Sequence, residues 1–68
     1  MVSIINLNFY RVKKSAEEGQ AEAQYFLGLI YFIGKGVDRD KQEALKWFRK
    51  AAEQGHAKAK EDLSILSQ

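Results

Sequence analysis

The chain has few side chains whose type and spacing could support catalysis. His56 is the only histidine, and the chain contains no cysteine. His56 directly follows Gly55 in a connection between helices, without a Cys, Ser or carboxylate in the arrangement that makes histidine a catalytic base. Glu17 and Glu18 are adjacent at an exposed helix end, which lacks the desolvated setting in which paired carboxylates act as general acid and base. We therefore predict that the chain is not an enzyme, and we assign it no catalytic residue and no metal ligand.

Gly34 and Gly36 raise the question of a phosphate-binding loop. A dinucleotide-binding loop also needs a preceding strand, a following helix and a third glycine, which would fall at position 39. Arg39 occupies that position. A glycine-rich turn between helices is the better interpretation, and we expect neither a cofactor nor a small-molecule substrate.

Basic side chains form two clusters that could follow the phosphates of a nucleic acid. The formal net charge is only +2, however, from 11 basic and 9 acidic residues. Acidic residues such as Glu17 and Glu43 are interspersed with the basic ones, which is typical of a solvated helix face. Nucleic acid is therefore the least favoured of the partners considered. The two clusters are Arg11, Lys13 and Lys14, and Lys46, Arg49 and Lys50.

An internal repeat organises the chain. The segment KSAEEGQAEA, from Lys14 to Ala23, returns 36 residues later as KAAEQGHAKA, from Lys50 to Ala59. Periods of roughly 20 to 50 residues mark stacked solenoids, whose units bury their apolar faces against their neighbours. Proline is absent and glycine occupies only five positions, which favours helices with few interruptions. The predicted fold class is all-α, a helix-pair (αα-hairpin) solenoid of about four antiparallel helices.

The first two helices are predicted from one apolar stripe and one glycine. Ser3 is a plausible N-cap for the first helix, and Gly19 would end it, because a left-handed residue at that point costs glycine nothing. The second helix would then start near Ala21. The stripe of the first helix has steps of four, three and four residues and consists of Ile5, Phe9, Val12 and Ala16.

The third helix has the clearest start signal. Asp40 can cap the amide of Glu43, and Glu43 can reach back to the amide of Asp40, which together would form a capping box. Gly55 repeats the role of Gly19 at the end of this helix. Its apolar stripe is Ala44, Trp47, Phe48, Ala51 and Ala52. A fourth, mostly polar helix is predicted over 57–66, with inner residues Ala59, Leu63 and Leu66.

Small residues bracket both helix-ending glycines. We expect them to let the helix backbones approach closely where the chain reverses direction. They are Ala16, Ala21 and Ala23 around the first glycine, and Ala52, Ala57 and Ala59 around the second.

The segment from Ala21 to Gly55, AEAQYFLGLIYFIGKGVDRDKQEALKWFRKAAEQG, resembles one complete Sel-1-like repeat, a relative of the tetratricopeptide repeat. Residues 1–19 resemble a degenerate second helix, with Arg11 where the complete unit has Trp47. The resemblance divides a single domain, 1–68, into that half-repeat, the complete repeat 20–55 and a C-terminal capping helix 56–68. It also implies a right-handed superhelix. The residues to which we assign a structural motif role are Gly19, Ala21, Ala23, Leu27, Gly28, Tyr31, Gly34, Gly36, Val37, Asp40, Ala44, Trp47, Ala51, Ala52 and Gly55.

The second helix is more apolar than a helix in a solvent-facing layer should be. From Tyr25 to Ile33 it reads YFLGLIYFI, without a charged or amide side chain. One face carries the positions that the family uses in its core, namely Gln24, Leu27, Gly28 and Tyr31. Related sequences often have a polar residue at the position of Phe26. The candidate partner-binding residues lie on a different face and are Glu22, Phe26, Leu29 and Ile33.

The resemblance implies scaffolding and protein recognition. The favoured hypothesis is an adaptor, scaffold or inhibitor-like module that binds another protein through this second face. The alternative is a self-assembling repeat, either a fragment or a homo-oligomer that completes its solenoid with copies of itself, because about three repeats are normally needed for stability. A third interpretation is that these apolar side chains only pack the two half-repeats onto the complete one.

The compartment is predicted from what the sequence lacks. Cysteine is absent, and in the first 14 residues, MVSIINLNFYRVKK, the basic residues follow the apolar part instead of preceding it as in a secretory signal. The longest apolar run, 23–33, is interrupted by Gln24 and is too short to span a bilayer. We expect a soluble, cytoplasmic protein whose partner is another protein or a second copy, without membrane association.

Overall fold

The described part of the chain forms four α-helices in sequence order. The structure, a computed structural model, describes the backbone of residues 4–67 and the side chains of residues 9–67. The helices are α1 (Ile4–Glu17), α2 (Ala21–Ile33), α3 (Lys41–Glu53) and α4 (Ala57–Leu66). The all-α fold class and the start of α2 near Ala21 are confirmed. The predicted N-cap Ser3 and the side chain of Ile5 lie outside the described residues.

Both predicted glycine hinges are confirmed. Gly19 is left-handed, with φ of 99°, and ends α1. Its amide donates to the carbonyl of Ala16 (3.0 Å), and the amide of Gln20 donates to the carbonyl of Ser15 (3.1 Å). This pair of bonds is the Schellman arrangement, which satisfies carbonyls at the end of a helix. The same pair ends α3 at Gly55, where φ is 90°, so the internal repeat specifies one turn twice.

The start of α3 confirms half of the predicted capping box. Oδ1 of Asp40 accepts a hydrogen bond from the amide of Glu43 at 3.1 Å, as predicted. The predicted reciprocal bond from the amide of Asp40 to the side chain of Glu43 is wrong, because this amide donates instead to the carbonyl of Tyr31 at 2.9 Å. The Glu43 carboxylate lies 3.4 Å from Nζ of Lys46. The cap is therefore tied to the end of α2, which fixes where α3 begins relative to the preceding helix.

Two buried clusters hold the helices together, and α2 contributes to both. One cluster joins α1, α2 and α3, and the other joins α2, α3 and α4. Because α1 and α4 each share a cluster with α2 and α3, burial of apolar surface stabilises all four helices at once. The first cluster is Ala16, Leu27 and Trp47, and the second is Tyr25, Ala44, Phe48, Ala51 and Ala59.

The closest approach within the complete repeat is at Gly28. A Cβ atom at this position would lie 2.7 Å from Cδ1 and Cε1 of Phe48 and 3.1 Å from the carbonyl oxygen of Ala44. Gly28 thus permits the close α2/α3 contact, at a position that the prediction about the bracketing alanines did not include. Among the alanines that bracket the glycines, Ala16 and Ala59 are buried, but Ala57 is exposed and its predicted packing role is wrong.

Candidate protein-binding surface

One strip of α2 stays uncovered by the side chains that the structure describes in the other three helices. Phe26 keeps 45% of its surface exposed and Ile33 keeps 61%. Leu29 is only partly exposed, because it packs against the cluster shared by α2, α3 and α4. Glu22 is exposed at the start of the same strip. We call Glu22, Phe26, Leu29 and Ile33 the α2 surface.

The structure explains why α2 is apolar nearly all round. Tyr25 is 8% exposed, with its ring stacked on His56 at a centroid distance of 4.8 Å and near Phe48 at 5.6 Å. Residues on α2 must therefore face α1, α3 and α4 in three different directions. Packing of the half-repeats accounts for Tyr25 and for part of Leu29, whereas the exposure of Phe26 is not needed for that packing.

A groove of about 330 Å³ runs beside Phe26, between α1 and α2. Its apolar lining comes from Val12 and Ala23 together with Phe26. Arg11 and Glu22 contribute opposite charges to the same lining, which Ser15 and Gln20 complete. The groove is shallow and mostly apolar, with charged groups at its side.

His56 joins the α2 surface to α4. Its Nε2 lies 3.0 Å from Oε1 of Glu22, and its Nδ1 accepts a hydrogen bond from the amide of Ala59 at 3.1 Å. A nitrogen that accepts carries no hydrogen, so Nε2 holds the hydrogen and donates it to Glu22. Both ring nitrogens are thus occupied, and His56 acts as the N-cap of α4. This carboxylate partner of His56 could not be predicted from the sequence, because Glu22 is 34 residues away.

A network of side-chain amides, with Gln24 as its buried member, was not predicted from the sequence. Nε2 of Gln54 donates to the carbonyl of Gly19 (2.8 Å) and to Oε1 of Gln24 (2.9 Å). Nε2 of Gln24, which is buried, donates in turn to the carbonyl of Ala16 (3.2 Å). These bonds join the ends of α1 and α3 across the first turn of α2. Gln24 was the available signal, since an amide inside an apolar run needs buried partners.

Tyr25 makes a polar contact between α2 and α4. Its hydroxyl donates to Oδ2 of Asp62 at 2.7 Å. Burial, this hydrogen bond and the negative charge of Asp62 raise the pKa of Tyr25 from 10.0 to about 12.

We expect the free energy of unfolding to fall between pH 10 and 12 because of Tyr25. In this interval the unfolded chain has lost the phenolic proton and the folded chain keeps it, so each rise in pH favours unfolding. Ultraviolet absorbance of tyrosinate should show a phase near pH 12 in the folded protein. Tyr25→Phe is the control, because it should remove that phase and the associated loss of stability. A titration without a Tyr25-dependent phase near pH 12 would contradict the buried contact.

Part of the second basic cluster is engaged within the molecule. Nζ of Lys46 lies 5.5 Å and Nζ of Lys50 lies 5.8 Å from the centroid of the Trp47 ring, which places both cations in range of its π-face. Lys46 also pairs with Glu43. Mixed charges at this face are what a solvated surface carries, and they weaken the nucleic-acid hypothesis.

In residues 4–67, no helix is both long and apolar enough to cross a membrane.

Known proteins share this pattern of residues. A secretory immunoglobulin A-binding protein of Escherichia coli O6:H1 is 44% identical over 46 residues, which cover 68% of this chain and 9% of that protein. An ERAD-associated E3 ubiquitin-protein ligase component of Arabidopsis thaliana is 38% identical over 60 residues, 87% of this chain and 9% of its own length. A chitin synthase regulator of Saccharomyces cerevisiae is 43% identical over 47 residues, with coverages of 69% and 7%.

The chain therefore spans less than a tenth of the length of these curated relatives. No solved structure gives a significant match. The family model of the Sel1 repeat matches residues 21–56, the segment that contains α2, the glycine turn and α3. This match covers more than half of the chain, and it agrees with the helix pair whose contact is formed at Gly28 and Phe48. The chain belongs to the Sel1 repeat family.

Proposed function

We propose that this chain is a non-enzymatic protein-interaction module that binds a partner protein through the α2 surface. One observation carries the proposal: Phe26 and Ile33 are exposed on a side of α2 that the described side chains, those of residues 9–67, leave uncovered. Exposed aromatic and aliphatic side chains at the centre of a rigid surface are typical anchors of protein interfaces. The module would work as an adaptor, scaffold or inhibitor-like binder, by shape and apolar burial.

The names of the relatives are consistent with such work. One is an immunoglobulin-binding protein, one is a component of a ubiquitin ligase and one is a regulator of chitin synthase. Each name describes action on or with another protein. The present chain matches only a small part of each relative, so the specific partners of those proteins are not transferred to it.

A second candidate function is self-assembly of the repeat. The observation that favours it is Ile65 on α4, which is 60% exposed although α4 was expected to be a polar cap. Two exposed apolar positions, Phe26 on α2 and Ile65 on α4, would then be covered by neighbouring copies.

Phe26→Asp tests the binding function. Burial of a phenylalanine side chain contributes roughly 1.5 to 3 kcal/mol, so the charged variant should bind a partner about 10- to 150-fold more weakly. Affinity capture with the wild-type chain and with Phe26→Asp, followed by mass spectrometry, should identify proteins that only the wild type retains. Helical circular dichroism should be the same for both.

Tyr10→Asp is the matched control, because Tyr10 is an exposed aromatic residue on α1, outside the α2 surface. It should retain the captured partner. If Phe26→Asp unfolds the protein as completely as Trp47→Ala, then Phe26 belongs to the core and the α2 surface is not a binding site.

A further inference from the structure

We propose that the groove beside Phe26 accepts α4 of a second copy of this chain, so that copies stack head to tail. The proposal rests on the proposed use of the α2 surface and names an occupant for it. The interface would lie between α4 of one copy and the groove between α1 and α2 of the next copy. The lining of that groove includes Arg11, Val12 and Phe26.

The internal repeat determines how the two copies would meet. Residues 36 positions apart are equivalent, so α1 corresponds to α3 and α2 corresponds to α4. Within one chain, α2 packs against α3 and reaches α4 through the bond between Tyr25 and Asp62. If the second copy continues the repeat of the first, α4 of the first copy packs against α1 of the second, as α2 packs against α3 within one chain. The same helix then reaches α2 of the second copy, as α2 reaches α4 within one chain. The groove beside Phe26 lies between those two helices.

The sizes of the side chains fit this intermolecular contact. Within the chain, the Phe48 ring leaves no room for a Cβ atom on Gly28, the distance being 2.7 Å. At the equivalent intermolecular position, Ser64 replaces Gly28 and the smaller Val12 replaces Phe48. Ser64 on α4 has a side chain that Gly28 lacks, and Val12 on α1 leaves room for it because valine is smaller than phenylalanine. Packing of this kind is sensitive to single methylene groups, so the paired change favours this register.

Exposed apolar side chains of the two copies would contact each other in the same arrangement. Ile65 is equivalent to Leu29, which is partly buried against the α2/α3/α4 cluster. Ile65 would therefore lie on α2 of the second copy, where Phe26 and Ile30 occupy the positions equivalent to Asp62 and Leu66. Phe26 and Ile65 are two of the large apolar residues left exposed in the described chain, at 45% and 60%.

The interface would be heterologous, since each copy contributes a groove at one end and a helix at the other. Such contacts add copies in one direction and do not close into a dimer. This asymmetry gives a test that a symmetric interface would fail. Phe26→Asp disables the groove and Ile65→Asp disables the helix, while each variant keeps the other half intact.

Sedimentation velocity of the 68-residue chain over a concentration series is the experiment. The wild type should increase in mass with concentration, and each variant alone should stay at the mass of one chain, 7.8 kDa. An equimolar mixture of the two variants should form a dimer and nothing larger, because only one competent interface remains. A wild type that stays monomeric, a single variant that still associates, or a mixture that stays monomeric would each overturn the proposal.

One further variant tests the same interface through the α4 position equivalent to Gly28. Ser64→Arg adds bulk at an exposed position of α4 with a good helix former, so the fold should survive while association weakens at least tenfold. Circular dichroism of every variant verifies the helices. Ile65→Asp also separates this proposal from the protein-binding function, because it leaves the α2 surface intact. Capture of a foreign partner should therefore persist with Ile65→Asp even if self-association does not occur at all.

Discussion

Replacing Phe48 with alanine is expected to remove a large part of the protein's free energy of unfolding at room temperature. Phe48 is fully buried, and its ring lies against Gly28 of α2 and near the ring of Tyr25. Removal of a buried phenylalanine side chain costs about 3 to 5 kcal/mol, because transfer energy is lost and a cavity remains. A chain of 68 residues has a total stability of only about 3 to 10 kcal/mol. Urea unfolding followed by circular dichroism measures the loss.

Phe26→Ala is the matched control for Phe48→Ala. It also removes a phenylalanine ring, but from α2, at a residue that is already 45% exposed. The expected cost is about 1 kcal/mol, because little cavity forms and only part of the apolar surface is lost. Equal destabilisation by the two substitutions would contradict the assignment of Phe48 to the core and Phe26 to the surface.

Gly28→Val is expected to lower the free energy of unfolding by about 3 kcal/mol. A Cβ atom alone would lie 2.7 Å from the Phe48 ring and 3.1 Å from a backbone carbonyl of Ala44. Phe48 is fully buried and cannot swing away, so α2 and α3 must separate and lose contacts on both sides. The small gain in helix propensity over glycine does not offset this loss. Thermal unfolding of the variant and the wild type provides the comparison.

Ser64→Val controls for the effect of a β-branched residue in a helix. Ser64 is equivalent to Gly28 one repeat later and is exposed on α4. Serine and valine have similar helix propensities, so the stability of the monomer should change by no more than about 0.5 kcal/mol. An unchanged melting temperature for Gly28→Val would mean that α2 and α3 do not approach as closely as Gly28 and Phe48 indicate.

Much of the fold could be predicted from short stretches of sequence. The left-handed hinges at Gly19 and Gly55 and the cap at Asp40 depend on residues that are near one another along the chain, so their bonds are local. The 36-residue repeat then indicated helix pairs that stack on one another. The motif residues of the Sel1 repeat were recognisable for the same reason, since Gly28 and Trp47 stand at fixed spacings within one unit.

The sequence alone determined the helices, their ends and the apolar character of α2, because backbone hydrogen bonds and periodicity act over a few residues. It did not determine which apolar side chains of α2 are free. Tyr25 and Phe26 are neighbours in the sequence, yet α4 buries the first and leaves the second 45% exposed. Only the tertiary structure decided this, along with the Glu22–His56 pair, because both depend on where a helix more than 30 residues away packs.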